Sequence, residues 1–331
     1  MVEIWELLNS SKHIKLTLSE RVKDAVEKFG VERFKEGISL LGLGGSEISI
    51  DEIISGFSGV LVGKAGVYGY NDSRGPIRSY WLLKWGEHII KLVEESQAHR
   101  RMFQRGIERS LQIPQLHPNV VCWEGLGFIA YGFEEKAKTA LELINSQGVQ
   151  SLVPLLNKIN ICLYADSRKI PVLPQEQLMK WCKFDNRNRK ILSDDLMTHP
   201  LEVTGALIHG DFHLRNILIK ENSPTLIDFA KSDLGPISID LAKLIIDILV
   251  FLKEIQFKSD LMKWESLMST PLSGILGTFE RYLNAPDDKK FFEIALWAYI
   301  SAYLNYPDVA QELKLVIEEA LKKLHVTASQ K

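Results

Sequence analysis

Charge of one sign is missing from this chain: 40 Lys and Arg stand against 42 Asp and Glu, a net charge of −2. A near-neutral balance gives no electrostatic footprint for a nucleic-acid backbone or an anionic membrane. Cysteine is scarce. Cys122, Cys162 and Cys182 are scattered, odd in number and form no CxxC pair, which excludes a disulfide framework and a zinc knuckle. They read as small buried hydrophobes. Long apolar runs are absent too. The most apolar stretch, Leu241 to Leu252, has 12 residues and is broken by Lys243 and Asp247, too short and too charged to span a bilayer. The start carries Glu3 and Glu6, where a signal peptide would want positive charge and a continuous apolar stretch. No internal repeat or low-complexity tract is visible. The expectation is a soluble, cytoplasmic, reduced protein with no nucleic-acid or membrane partner.

The chain does have the substance of a large globular protein. It holds 331 residues, 46% apolar and 25% charged, enough for about two domains. Residues 1–45 carry Trp5, Leu7, Leu8 and then Val22, Ala25, Val26, Phe29 at helical spacing, ended by Gly42, Gly44 and Gly45. This predicts a helical N-terminal extension. From residue 46 the texture turns to Ile-rich and Val-rich runs, a Ser55-Gly56-Phe57-Ser58-Gly59 turn, and an Asn71–Pro76 turn cluster. Ile77 to Trp85 is aromatic and β-branched. Three antiparallel strands follow from that pattern. His88–Arg109 is periodic as a helix, and Val120–Phe133 reads as two more short strands. Glu134 opens a long helical region, 165–200 reads as a polar insertion with Pro171 and Pro174, and short strands surround the turns between 206 and 229. From Asp240 onward the pattern is helical. The order predicts an α+β fold of two lobes: an N-lobe over 46–133 and a mostly helical C-lobe over 134–331.

The densest chemistry lies in His209-Gly210-Asp211-Phe212-His213-Leu214-Arg215-Asn216, followed by Leu226-Ile227-Asp228-Phe229. Asp211 and Asn216 share one loop, and a hairpin between Asn216 and Asp228 folds the third oxygen-bearing side chain back to them. Two such oxygens suit a hard cation such as Mg²⁺, which prefers a few protein oxygens plus substrate phosphates. Asn216 and Asp228 can take the metal, leaving Asp211 to orient and deprotonate an attacking hydroxyl. That division of labour is the one phosphoryl transfer requires.

These motifs resemble the protein-kinase-like superfamily, and within it the aminoglycoside and choline phosphotransferase branch. The resemblance covers roughly 46–303 and also extends to kinase-like modules of bacterial conflict and signalling proteins. It implies a small antiparallel N-lobe sheet with one main helix, a larger helical C-lobe, and ATP with Mg²⁺ bound between lobes. Gly56, Ser58 and Gly59 resemble a shortened glycine-rich loop. Lys84 on the third strand resembles the lysine that pairs with the α/β-phosphates, with Leu82, on the same strand face, lining the adenine pocket. Glu95 resembles the helix partner of that lysine, with adjacent Glu94 as the alternative. His213 matches a position that faces the transferred phosphate or else braces the loop. His209 and Asp240 support the loop, Asp240 within Gly235-Pro236-Ile237-Ser238-Ile239-Asp240-Leu241-Ala242. The chain departs from the branch where it lacks an Asp before Pro236, and where Phe229-Ala230 stands in place of Phe-Gly.

The resemblance implies an ATP- and Mg-dependent kinase acting on a hydroxyl of a small molecule, with Asp211 as base. Two alternatives stand beside it: a nucleotide-binding regulatory module with little turnover, and a protein Ser/Thr kinase. The latter is disfavoured by the short stretch from Asp228 to Asp240, which leaves little room for a peptide-docking segment. The acceptor has no diagnostic motif; Asp194, Asp195 and Glu202 are too few to mark a cationic aminoglycoside. The N-terminal helices offer a surface for a protein partner.

Overall fold

A computed structural model describes residues 14–54, 60–71, 75–133, 137–182, 197–251, 263–303 and 314–315. The chain divides into two compact units, Met1–Gln104 with Ile113–Ala137, and Arg105–Gln112 with Lys138–Lys331. The mixed α+β architecture, with a curled sheet first and helices after, is the one the element order predicts.

The first unit is built on a six-stranded sheet in the order β1-β2-β3-β4-β6-β5. Its strands are β1 (Lys15–Leu18), β2 (Glu47–Ile54), β3 (Leu61–Asn71), β4 (Gly75–Gly86), β5 (Val121–Trp123) and β6 (Leu126–Gly132). All neighbours are antiparallel except β1 and β2, which pair in parallel from Lys15 opposite Glu47 to Leu18 opposite Ile50. Alternation gives the sheet two distinct faces. One face presents Ile48, Ile50, Ala65, Val67, Leu83, Trp85, Phe128 and Ala130 to Val22, Val26, Phe34, Ile38 and Leu41. Those come from α1 (Glu20–Glu27) and α2 (Val31–Leu41). Phe34 meets Trp85 edge-on at 5.2 Å and Phe128 at 5.7 Å between ring centroids. Gly37 permits this close approach, since a Cβ there would collide with the Phe128 ring. The other face carries Val62, Leu82, Ile129 and Tyr131 in a smaller cluster with Leu92 of α3 (Ile89–Arg109).

Residues 14–45 therefore depart from the expected helical extension. They contain an edge strand and two helices that cover one face of the sheet. The two-residue alternation of Leu16 and Leu18 is too short to announce a strand. Its partner lies about thirty residues on, which no local pattern records. Trp5, Leu7 and Leu8 lie outside the described residues.

The second unit contains two three-stranded sheets, β11-β10-β7 and β12-β9-β8. Their strands are β7 (Lys138–Thr139), β8 (Arg168–Val172), β9 (Leu201–Ile208), β10 (Ile217–Lys220), β11 (Ser223–Leu226) and β12 (Asp233–Pro236). Around them lie α4 (Ala140–Gln147), α5 (Val153–Leu163), α6 (Pro174–Trp181), α7 (Ile237–Phe251), α8 (Trp264–Met268), α9 (Ser273–Phe279) and α10 (Pro286–Tyr303). Two expectations are corrected here. The stretch from Glu134 does not begin as helix: β7 precedes α4, which starts at a capping box between Thr139 and Glu142. The stretch 165–200 is not wholly a polar insertion. Arg168–Val172 pairs with β9, and α6 follows, started by Pro174 at its first position.

Helix α7 is buried along its whole described face set, from Ile237 to Leu249. That explains its nearly continuous apolar sequence. At the start of α10, Asp287 and Asp288 accept hydrogen bonds from Glu202 N at 2.9 Å and Thr204 N at 2.5 Å. These contacts anchor β9, the strand that delivers His209.

Candidate active site

In the first unit the notable cluster sits on the sheet face opposite α1 and α2. Lys84 Nζ donates to Glu95 Oε1 at 2.6 Å, with side-chain exposures of 11% and 8%. Tyr131 OH donates to the same oxygen at 2.6 Å. The pleat creates this meeting. Lys84 stands opposite Val62 on β3 and Ile129 on β6, and Tyr131 stands opposite Leu82. Lys84, Leu82 and Tyr131 therefore share one face, and α3 lays Glu95 against it. Of the two adjacent glutamates, Glu95 points inward at 6% exposure while Glu94 is exposed. Leu82 is 7% exposed and packs with Val60, Val62, Ile129 and Tyr131. Gly56, Ser58 and Gly59 lie outside the described residues.

In the second unit one carboxylate organises a loop. Strand β9 ends at Ile208 and the chain turns at Gly210, whose φ of +78° is left-handed. A Cβ there would run into Lys231 O and the Trp181 ring. Asp240, one turn into α7 and 0% exposed, accepts from His209 N at 2.8 Å, Gly210 N at 2.8 Å and Tyr164 OH at 2.9 Å. Burial still pushes the Asp240 carboxyl up, against the opposing pull of His209 and the three donors. His209 Nε2 lies 2.8 Å from Ile227 O. A carbonyl only accepts, so the ring proton sits on Nε2, and Nδ1 accepts from Asp211 N at 3.3 Å.

The rest of the loop is fixed as tightly. His213 Nδ1 accepts from Arg215 N at 3.3 Å, bracing the short turn Leu214–Asn216, and burial lowers the pKa of its ring. Asp247 Oδ2 accepts from Leu214 N at 2.9 Å. Asn216 Nδ2 donates to the Asp211 carbonyl at 2.9 Å, which turns its Oδ1 away from that bond. Strand β10 leads to β11, and Ile227 N donates to Asn216 O at 3.1 Å. The hairpin thus returns Asp228 to within one residue of the Asn216 register. Asp228 has φ +62°, a left-handed conformation that Asp tolerates better than most residues.

Asp211 itself presents a 26% exposed carboxylate. Lys231 Nζ stands 3.2 Å from its Oδ2 and Lys243 Nζ 3.7 Å from its Oδ1. Burial pushes this carboxyl up. Lys231, Lys243, His213 and His209 outweigh burial and hold it well below the usual carboxylate range.

Several organising residues escape the motif: Tyr131, Tyr164, Lys231, Lys243 and Asp247. Lys243 and Asp247 did leave a signal. Asp240, Lys243 and Asp247 fall at i, i+3 and i+7, one stripe of a helix that is otherwise apolar. That stripe follows the loop from His209 to Leu214.

Among the described residues no three His, Cys, Asp or Glu side chains gather as a metal cluster. A cation held by protein ligands alone therefore has no cage among them. Asn216 and Asp228 stand at adjacent places in the hairpin register. No described helix is long and apolar enough to cross a membrane.

Residues 156–265 match the phosphotransferase enzyme family. The segment contains the whole loop and its braces, from Tyr164 to Asp247. No curated protein sequence matches the chain. Among solved structures, the amicoumacin kinase hAmiN in complex with AMP-PNP, Ca²⁺ and Ami is 12% identical, with 83% of this chain and 88% of that chain covered at a TM-score of 0.52. A thermostable mutant of aminoglycoside phosphotransferase APH(4)-Ia, in its apo form, is 14% identical, with 93% and 99% covered at a TM-score of 0.52. At such identities the likeness is one of fold. The segment that holds the loop is thus similar to the phosphotransferase enzyme family, and the fold of the chain is like that of these kinases.

Proposed function

We propose that the protein transfers the γ-phosphoryl group of ATP to a hydroxyl of a small molecule, with Asp211 as the base. The observation that carries this reading is the loop clamp. Asp240 holds His209 N and Gly210 N while Asn216 is tied to the Asp211 carbonyl. That construction fixes the Asp211 backbone and the Asn216 side chain in place, with the Asn216 bond made by its Nδ2 and not by its oxygen. A module that only binds nucleotide has no need of Asp211. Asn216 and Asp228 would hold Mg²⁺, which supplies charge neutralisation at the phosphates. Lys84, steadied by Glu95 and Tyr131, would direct its ammonium at the α/β-phosphates.

In the step itself the acceptor oxygen bonds to the γ-phosphorus. The bond from that phosphorus to the β–γ bridging oxygen breaks, its electron pair leaves with ADP, and the hydroxyl proton passes to Asp211. His213 braces the loop beneath that carboxylate. The fold neighbour's complex with AMP-PNP and Ca²⁺ supports nucleotide with a divalent cation as cofactors.

The test is ADP release by purified protein with Mg-ATP, against a panel of neutral, cationic and anionic alcohols, in wild type and Asp211→Asn. A positioned base contributes on the order of 10²–10⁴-fold in rate. Turnover should fall by that factor while Mg-ATP affinity stays within a few-fold. Turnover indifferent to Asp211→Asn would overturn the assignment of the base. The ion pairs from Lys231 and Lys243 to Asp211 favour, as a second reading, a nucleotide-holding module with little turnover. Tight Mg-ATP binding without ADP release would select it.

A further inference from the structure

Helix α7 carries three polar side chains on one stripe, and they meet the loop from His209 to Leu214 in order. Asp240 accepts from His209 N and Gly210 N. Lys243 Nζ stands 3.7 Å from Asp211 Oδ1. Asp247 Oδ2 accepts from Leu214 N at 2.9 Å. The two carboxylates hold backbone, and Lys243 reaches the side chain between them. The Lys243 side chain is 9% exposed, and its Nζ lies 5.3 Å over the Tyr299 ring of α10. Lys231, from the turn that precedes β12, meets the other oxygen of Asp211, Oδ2, at 3.2 Å and is 33% exposed. Charge in this cluster is answered within it. Against Lys231 and Lys243 stand Asp211, the two further carboxylates of the stripe, Asp240 and Asp247, and Asp228 at the return of the hairpin. His209 and His213 also act on Asp211. Neither lysine is left over to attract an acceptor by its charge. What the pairs can do is hold the Asp211 carboxylate.

A loop held by its backbone still leaves a carboxylate free to turn. The outer torsion of an Asp side chain is broad, so Asp240 and Asp247 do not decide which oxygen of Asp211 faces outward. Lys243 does. Its ammonium comes from the middle of a helix buried from Ile237 to Leu249, the same rigid element that clamps the loop backbone on either side. At 3.7 Å the contact is one of charge and not a hydrogen bond. In so dry a wall charge acts more strongly than in water, and it draws Oδ1 inward. Oδ2 is left on the side of the more exposed Lys231. A carboxylate oxygen that accepts from one donor has a second lone pair for a hydroxyl. Resting on the phosphotransferase reading above, we propose that Lys243 is a positioning residue for the base: it holds Asp211 Oδ1 against α7, so that Oδ2 is the oxygen that meets the acceptor hydroxyl and takes its proton. In this arrangement Asp211 is the catalytic residue, and Lys243 acts through it alone.

A double-mutant cycle on the full chain tests this. The reaction followed is ADP release from Mg-ATP, with water as acceptor where no alcohol is taken. The proteins are wild type, Lys243→Met, Asp211→Asn and the variant with both changes. Lys243→Met keeps the length of the side chain and removes its charge. It should lower kcat about 10- to 100-fold, the loss that follows when a catalytic group is misplaced. The KM for Mg-ATP should stay within about threefold, since ground-state binding is untouched. In the Asp211→Asn background the same change should alter kcat by less than about twofold, because no carboxylate is left to hold. Lys243→Gln, which keeps a donor without the charge, should fall between wild type and Lys243→Met. Lys231→Met should lower kcat less than Lys243→Met does. Urea unfolding checks that each variant is folded. Should Lys243→Met alone fail to fold, Lys243→Gln and the comparison of Asp211→Asn with the double variant still decide, since removing both partners leaves no buried charge unmatched. An equal loss of kcat in both backgrounds would assign Lys243 to the scaffold and overturn the inference, leaving the phosphotransferase reading standing. So would a wild-type kcat in Lys243→Met, a loss confined to KM, or a larger effect from Lys231→Met. Wild type that releases no ADP would remove the phosphotransferase reading itself, and this inference with it.

Discussion

Replacing Asp240 with Asn changes one atom of a fully buried side chain and should cost the second unit about as much stability as a large core truncation. The carboxylate accepts three hydrogen bonds, His209 N and Tyr164 OH at Oδ2 and Gly210 N at Oδ1. Asn has one acceptor oxygen. With that oxygen at the Oδ2 position it keeps His209 N and Tyr164 OH, but its NH₂ then faces the Gly210 N–H. Two donors oppose each other and Gly210 N loses its partner, at about 1–3 kcal/mol for an unsatisfied buried group. The two surviving bonds lose their charge assistance, roughly 1 kcal/mol each. The burial that raises the Asp240 pKa acts in the other direction, since a neutral amide escapes part of the desolvation of a carboxylate. The losses win, by about 2–4 kcal/mol. Tyr164→Phe is the internal control. It removes one bond of three and leaves both loop amides held, so it should cost about 1–2 kcal/mol. Urea unfolding of the full chain, followed by tryptophan fluorescence, reads the difference. With a slope of about 2 kcal/mol per molar for a unit of this size, Asp240→Asn should lower the midpoint by about 1–2 M. An Asp240→Asn midpoint equal to wild type, or higher than that of Tyr164→Phe, would refute the clamp.

Two further outcomes follow from the same geometry. Glu95→Gln keeps the shape of the partner of Lys84 but removes its charge; titration with a fluorescent ATP analogue in Mg²⁺ should show at least tenfold weaker binding, while Tyr131→Phe, which removes a neutral donor, should show less than half that effect on a logarithmic scale. Asp211 is ionised well below the ordinary carboxylate range when folded, so its ion pairs stabilise the fold fully above that range and lose the contribution as pH falls through the unfolded value toward the folded one. The thermal midpoint of Asp211→Asn should therefore lie below wild type at pH 7, with a gap that begins to narrow only as pH falls below about 4, and a gap that widens on acidification would contradict the sign.

What the sequence made readable was whatever is local. The strands β2, β3, β4 and β6 run over enough residues to show their texture, and α3 is long enough to show its period. Leu82 and Lys84 could be put on one strand face by alternation, and their resemblance to a strand lysine with a helix partner left Glu95 and Glu94 both open; the burial of Glu95 against Lys84 decides between them. The loop from His209 to Asn216 stood out because Asp211, Asn216 and Asp228 lie within one turn and one hairpin. The strands that stayed hidden have two to five residues and distant partners. Lys15–Leu18 pairs with Glu47–Ile50, and Arg168–Val172 pairs with Leu201–Gly205. Register between such segments is set by the tertiary core and not by their own pattern. Lys231 was hidden for the same reason, as a turn residue with no periodic mark. Lys243 and Asp247 are the instructive pair. As sequence they only interrupt an apolar run, and served as an argument against a membrane span. In the fold they are what that run exists to carry. A helix buried on every side tolerates charge only where the charge is matched. At Asp240, Lys243 and Asp247 the match is the loop backbone, the Asp211 carboxylate and the Leu214 amide. Charges at helical spacing inside a buried apolar segment thus point at the site they serve, and here they mark it as surely as the motif does.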